Sequence, residues 1–336
     1  MRTILGLDIG HSAVKGVVSG ERGIRQFMFP SVVCRAINIS DETEARRAAL
    51  DTVEVDGVYY FVGDTAIIQG GAAVPSGLSD DWIETKEHAA LVESSLKRLR
   101  TMGYPLDDAL VVMGLPSRLH DSQAARLKEL FLKHCQAELK VVPQPMGAYQ
   151  ATMLQESGMP VVGRDIKTES WGVVEVGRYS TDFMLMMGGR WVQRASGGTQ
   201  GVSAAAAHLQ TLLRDRHQLD VDLLDCEKAL SSGSTFKSIK NYGKSVDVTA
   251  ETEMAAAVLV SDVVDMANRL IDPFARKLDG VIVAGGGAPF VYRELHSRWP
   301  HAIMADDPRF AVARGFHRFG CALNLMRMHS KHKALV

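Results

Sequence analysis

Ile4-Leu5-Gly6-Leu7-Asp8-Ile9, then Gly10-His11-Ser12-Ala13, then Val14-Lys15-Gly16-Val17-Val18-Ser19 opens the chain. Two short β-prone runs flank a glycine turn, which predicts a hairpin and not a strand leading into a helix. Asp8 places a carboxylate beside the turn, and backbone N–H groups in such a turn form an anion-binding concavity. Lys15 sits on the return strand, where its ammonium can be aimed at a phosphate. Alone, an Asp-x-Gly step is common in ordinary turns. A second copy gives it meaning: Trp171–Val176 and Phe183–Met187 flank Gly177-Arg178-Tyr179-Ser180-Thr181-Asp182. Glu175-x-Gly177 repeats the acid-x-glycine step, and Asp182 follows Glu175 by seven residues as Lys15 follows Asp8. Gly285-Gly286-Gly287, straight after the apolar run Gly280–Ala284, is a third place where backbone must approach something closely. Two phosphate-type hairpins and a glycine triplet, in that order, suit a nucleotide held between two similar lobes, a long-period duplication and not a solenoid.

The rest of the chain agrees with two lobes. Its 336 residues are enough for two cores. The 38 basic residues nearly cancel the 39 acidic ones, unlike the basic excess of a sequence-independent nucleic-acid binder, so direct contact with nucleic acid is not expected. Cys34, Cys135, Cys226 and Cys321 lie far apart with no C-x-x-C pair and read as small core residues of a reduced compartment. No signal-peptide h-region and no run approaching a membrane span occurs, so the reading is a soluble, cytoplasmic protein without membrane contact.

Helical periodicity predicts helices over Ile83–Met102, Asp121–Cys135, Gly147–Ser157, Ser203–Arg216, Thr249–Leu278 and Phe310–Met326. Strands are expected at Leu110–Met113 and Val141-Val142, a β-rich patch at Gly57–Gly63, loops at Gly70–Ser79 and Pro300–Pro308, and a short basic tail at His329–Lys333. The expected division is residues 1–165 for the first lobe, completed by a C-terminal helix over 310–330, and 166–309 for the second, with a small inserted subdomain at about 210–260.

Competing motifs fail on spacing. Gly243-Lys244-Ser245 imitates the end of a P-loop, but Ser238 stands five positions before Gly243 and no β-strand run precedes it. No Gly-x-Gly-x-x-Gly follows the first strand, which disfavours a dinucleotide fold. The eleven histidines show no H-E-x-x-H pattern, and no metal-ligating set of histidines or cysteines is expected.

These residues resemble the actin-like ATPases of the actin/Hsp70/hexokinase superfamily, and within it the ParM/StbA plasmid-segregation proteins. Asp8-Ile9-Gly10 to Lys15 is similar to the first phosphate motif, Gly114-Leu115-Pro116 to that family's Leu-Pro element, and Pro143-Gln144-Pro145 through Tyr149 to its first connecting segment. Glu175–Asp182 resembles the second phosphate motif, Gly201-Val202-Ser203 its Gly-Val-Ser step, Gly285-Gly286-Gly287-Ala288 the adenosine motif, and Ala313-Arg314-Gly315 the second connecting segment. The order and spacing span nearly the whole chain. The resemblance implies an α/β, two-lobed, duplicated actin-like (ribonuclease H-like) fold with a nucleotide cleft between the lobes, and ATP with Mg²⁺ as ligands. It implies that Asp8 and Asp182 hold the metal shell through water, that Gly10, Ser12 and Lys15 contact the phosphates, and that Gly177, Arg178, Ser180 and Thr181 form a second clamp. Gly285, Gly286 and Gly287 would lie against adenosine.

Glu175 and Gln144, with Asp8, are the candidate catalytic residues, and the first two depart from the family. Glu175 stands where the family has aspartate, and Gln144 stands near its usual acidic residue; glutamine orients a water but cannot act as its base. Slow hydrolysis is the expectation. Arg178 replaces a glycine and either adds a cation beside the phosphates, the favoured alternative, or points to solvent. The leading functional expectation is a polar, nucleotide-dependent filament that segregates plasmid DNA through a DNA-bound adaptor protein. The alternatives are a small-molecule kinase of the same superfamily or a nucleotide-binding scaffold with little turnover.

Overall fold

The computed structural model describes residues 1–71, 80–231 and 234–333, the last three by backbone alone. The described chain divides into two compact units, Met1–Arg164 with Phe310–Val336, and Asp165–Arg309.

In the first unit the opening hairpin is β1 (Ile4–Ile9) and β2 (Ala13–Gly20), followed by β3 (Gly23–Pro30). A small layer of β4 (Val33–Arg35), α1 (Glu42–Asp51), β5 (Thr52–Val55), β6 (Val58–Val62) and α2 (Asp64–Gly70) comes next. Then follow α3 (Lys86–Thr101), β7 (Leu110–Leu115), α4 (His120–Leu132), β8 (Glu138–Pro143) and α5 (Gln144–Met153). The main sheet runs β3-β2-β1-β7-β8, with β1 antiparallel to β2 and parallel to β7. Central strands are apolar along almost their whole length because helices cover both faces. Leu5, Leu7, Val111 and Met113 pack with Leu91, Leu96 and Leu99 of α3. Val112 and Val142 face the other way, onto Val312 and Phe316 of the C-terminal helix Ala311–Lys333. That helix meets α5 backbone to backbone: a Cβ on Gly315 would fall 1.6 Å from the Gly147 carbonyl oxygen.

The second unit repeats the plan. β9 (Trp171–Val176), β10 (Ser180–Met187), β11 (Arg190–Trp191) and β12 (Gly197–Gln200) precede α6 (Val202–His217), α7 (Leu223–Ser231), β13 (Ser238–Asn241) and β14 (Lys244–Asp247). α8 (Thr249–Leu270), α9 (Asp272–Ala275), β15 (Gly280–Ala284), α10 (Ala288–Arg298) and β16 (Ala302–Met304) complete it. Its sheet runs β11-β10-β9-β15-β16, β12 also pairing with β10, and β9 is antiparallel to β10 and parallel to β15. The two sheets therefore share one strand order, a hairpin followed by two parallel strands, as the duplicated actin-like fold requires.

Several boundaries differ from the sequence reading. α5 begins at Gln144 because Pro145 is accepted in the first turn, where no N–H is needed, and it ends at Met153, where Leu154 turns extended. The second hairpin's turn stops at Tyr179, so Ser180, Thr181 and Asp182 belong to β10. β13 does precede Gly243, but Tyr242 and Gly243, both at positive φ, turn it back into β14, and no helix follows. The expected helix over Thr249–Leu278 breaks before Pro273 into α8 and α9. His329–Lys333 continues the C-terminal helix. The loop expected over Gly70–Ser79 lies, from residue 72, outside the described residues. No described helix is long and apolar enough to cross a membrane.

Candidate functional site

Each hairpin carries its two marked residues directly opposite one another. Asp8 pairs in register with Lys15 on β1–β2, and Glu175 with Asp182 on β9–β10. Directly opposed residues bring their Cβ atoms within about 5 Å, so the spacing of seven becomes one side-chain pair per hairpin.

In the first unit Lys15 Nζ lies 2.9 Å from Asp8 Oδ2, and Gln144 Nε2 donates to Asp8 Oδ1 at 3.3 Å. Asp8 is only 5% exposed. The start of α5 at the end of β8 is what brings Gln144 there. The turn Gly10–Ser12 is braced from behind by Ser31, whose N–H donates to the Ser12 carbonyl at 3.1 Å and whose hydroxyl donates to the Gly10 carbonyl. Ser31 follows β3 directly and carries no local motif, so the sequence reading missed it.

In the second unit Glu175 and Asp182 are 5% and 3% exposed. Ser180 donates to Asp182 Oδ2 at 2.9 Å, while Thr181 is fully buried and donates its hydroxyl to the Gln200 carbonyl at 2.9 Å. The turn is braced by the start of α6: Gly201, Val202 and Ser203 donate their N–H groups to the carbonyls of Tyr179, Gly177 and Arg178 at 2.9, 3.1 and 2.7 Å. Helix N-termini leave such donors unsatisfied, and here the turn itself satisfies them. The approach is close, since a Cβ on Gly201 would sit 2.5 Å from the Gly177 carbonyl oxygen.

The glycine triplet closes on the same hairpin. Gly285, at φ +89°, leaves no room for a Cβ, which would lie 2.3 Å from the Val176 carbonyl oxygen and 2.7 Å from Glu175 Oε1. Gly287 donates its N–H to the Val176 carbonyl at 3.0 Å. Gly286 alone of the three has open space where a side chain would be. Arg178 has a partner that the sequence did not suggest: its Nε donates to Glu227 of α7 at 2.7 Å, and its guanidinium lies over the Tyr179 ring at 4.9 Å.

The site residues thus gather as two sets, Asp8, Gly10, Ser12, Lys15 and Gln144 in one unit and the second hairpin with the triplet in the other. Each set joins hard oxygen donors to a glycine turn, the chemistry that suits a polyphosphate with a hydrated divalent cation.

Residues 6–147 match the family described as actin like proteins, N-terminal domain, and residues 173–297 match the archaeal actin homologue MreB-like C-terminal family. The chain belongs to the actin-like ATPase superfamily. The matched segments of this actin-like chain carry every candidate site residue named above. It is similar in fold to the archaeal actin homolog Ta0583, at 19% identity and a TM-score of 0.74 over 94% of this chain and 98% of that one. A 15-stranded ParM filament from Clostridium botulinum gives 18%, 0.74, 95% and 99% by the same measures. A MamK double helical filament gives 21%, 0.69, 97% and 99%. Ta0583 is also similar as its complex with ADP, at 18% identity and a TM-score of 0.68 over 94% and 98%. Comparison with curated protein sequences returns no match.

Proposed function

We propose that this actin-like chain binds and slowly hydrolyses Mg-ATP, assembles into polar filaments in a nucleotide-dependent way, and moves plasmid DNA through a DNA-bound adaptor. The observation that carries the reading is the repeated hairpin, with an acid and its opposed partner in the same register in both units. Bound Mg-ATP supplies a γ-phosphoryl group for in-line attack by water, a reaction whose rate comes mostly from positioning and charge stabilisation. Gly10, Ser12 and Lys15 contact phosphate in this reading, and Gly177 and Ser180 form the second clamp, with Thr181 buried behind them on the Gln200 carbonyl. Arg178, bonded to Glu227, steadies that clamp. Gly286 offers the open face toward adenosine, with Gly285 and Gly287 holding the hairpin behind it.

Asp8 and Asp182 are the carboxylates of the two hairpins that would hold the water shell of Mg²⁺, a hard cation that takes oxygen ligands. Gln144 donates to Asp8 and keeps its carbonyl oxygen to orient the attacking water, but its amide cannot take that water's proton, and slow turnover follows. Filament formation is supported by the ParM and MamK filaments among the similar structures. The net charge of -1 suits an adaptor that carries the DNA contact.

Light scattering and negative-stain microscopy with and without Mg-ATP test the assembly. The expected result is polymer that needs nucleotide, with phosphate released in the absence of any acceptor. No nucleotide-dependent polymer over a wide concentration range would overturn the filament reading, and phosphoryl transfer only to an added hydroxyl compound would favour a small-molecule kinase.

A further inference from the structure

His11, at the apex of the first turn, is held by a residue from a distant part of the chain. The ring of Trp82, in the 3₁₀ turn Trp82–Glu84, lies 4.7 Å from the His11 ring, centroid to centroid, at an interplanar angle of 30°. The same indole meets His88 of α3 edge-on, at 5.8 Å and 82°. His88 is buried, so the three rings form a column from the turn into the helical core.

The middle ring of that column is itself fixed. Thr85 donates its hydroxyl to the Trp82 carbonyl at 2.7 Å and accepts the His88 N–H at 3.1 Å, which caps α3. On either side Asp80 takes two bonds from Arg118, at 2.9 and 2.5 Å, and Glu84 takes two from Arg126, at 2.5 and 2.8 Å. Such paired guanidinium contacts fix orientation as well as distance. Ser31 holds the turn by its carbonyls; the column holds it by its apical side chain.

We propose that Trp82 is a positioning residue of the first phosphate turn, keeping the His11 ring, and with it the backbone of Gly10–Ser12, in the arrangement that takes the polyphosphate of a nucleotide. The inference rests on the nucleotide-binding reading above and adds a residue that the superfamily motifs do not contain. A turn held in its binding arrangement before the ligand arrives loses less freedom on binding. The effect is expected on ligands that carry phosphate, because the column ends on the turn of Gly10–Ser12.

Calorimetric titration of the full chain with Mg-ATP and, separately, with adenosine tests this, using wild type, Trp82→Leu and Trp82→Phe. Loss of one aromatic pair corresponds to about three- to tenfold in affinity. Trp82→Leu is expected to weaken Mg-ATP by that factor and to leave adenosine within about twofold, while Trp82→Phe, which keeps a flat ring, restores most of the loss. Should the leucine variant fail to fold, His11→Ala removes the other ring and is expected to give the same selective loss. Equal weakening of ATP and adenosine, unchanged ATP affinity, or a phenylalanine variant no better than leucine would each overturn the positioning role. A wild-type chain that binds neither ligand would instead overturn the nucleotide reading on which it rests.

Discussion

Glu175 reaches one methylene further than the aspartate its family places there, and its Oε1 rests where a Cβ on Gly285 would be 2.7 Å away. Shortening the side chain withdraws the carboxylate from the triplet toward its own strand. If the added length slows hydrolysis, Glu175→Asp raises steady-state phosphate release by about tenfold, ~1.4 kcal/mol in the barrier, with nucleotide affinity nearly unchanged. A fall in turnover would mean a site rebuilt around glutamate. The two hairpins and the matching spacing of Asp8 to Lys15 and Glu175 to Asp182 were legible in the sequence, because β-prone runs flank each glycine turn; that the residues of each set stand opposite one another is given by the register. Ser31 on the first turn and Glu227 on Arg178 were not, since their partners lie 21 and 49 positions away and no periodicity links them.

Among elements, the buried central strands and long amphipathic helices were readable, and the edges were not. β3 is largely exposed over Ile24–Gln26, and β16 has three residues inside a segment that reads as a loop; neither is long or buried enough for a strand period to show. The start of α6 shows what such reading leaves out. Its sequence signals a helix, but not that its first two N–H groups and that of Gly201 before them are taken by another turn's carbonyls. Gly201→Ala drives a methyl into those carbonyls and is expected to cost ~1–3 kcal/mol, lowering the melting temperature by roughly 3–10 °C. Gly286→Ala meets open space and should melt like wild type. Thermal unfolding followed by circular dichroism compares the two, and equal melting would remove the brace from the account.

For the molecule as a whole, two buried histidines contribute to the response to acid. Burial, with His11 and His134 nearby, pushes His88 down to about 3; burial, with Arg318 nearby, pushes His317 down to about 4. His317 Nε2 lies 2.8 Å from the Ser19 hydroxyl and ties the C-terminal helix to β2. Both rings stay neutral in the fold but take up protons near pH 6.5 once unfolded. Their contribution is therefore complete above that pH and is lost as pH falls toward 4, at ~1.4 kcal/mol per unit for each ring. In urea unfolding between pH 7.5 and 5, His317→Gln should flatten the slope by about one proton; an unchanged slope would exclude His317 as a source. The pairing of Phe310–Val336 with Met1–Arg164 has a further consequence, in the order of synthesis. On the ribosome, Asp165–Arg309 emerges as an uninterrupted stretch, whereas the earlier-made unit must wait for its last helix. Until Val312 and Phe316 arrive, the face of Val112 and Val142 has only Met146 of α5 against it, so the first half to be made is the last to be finished.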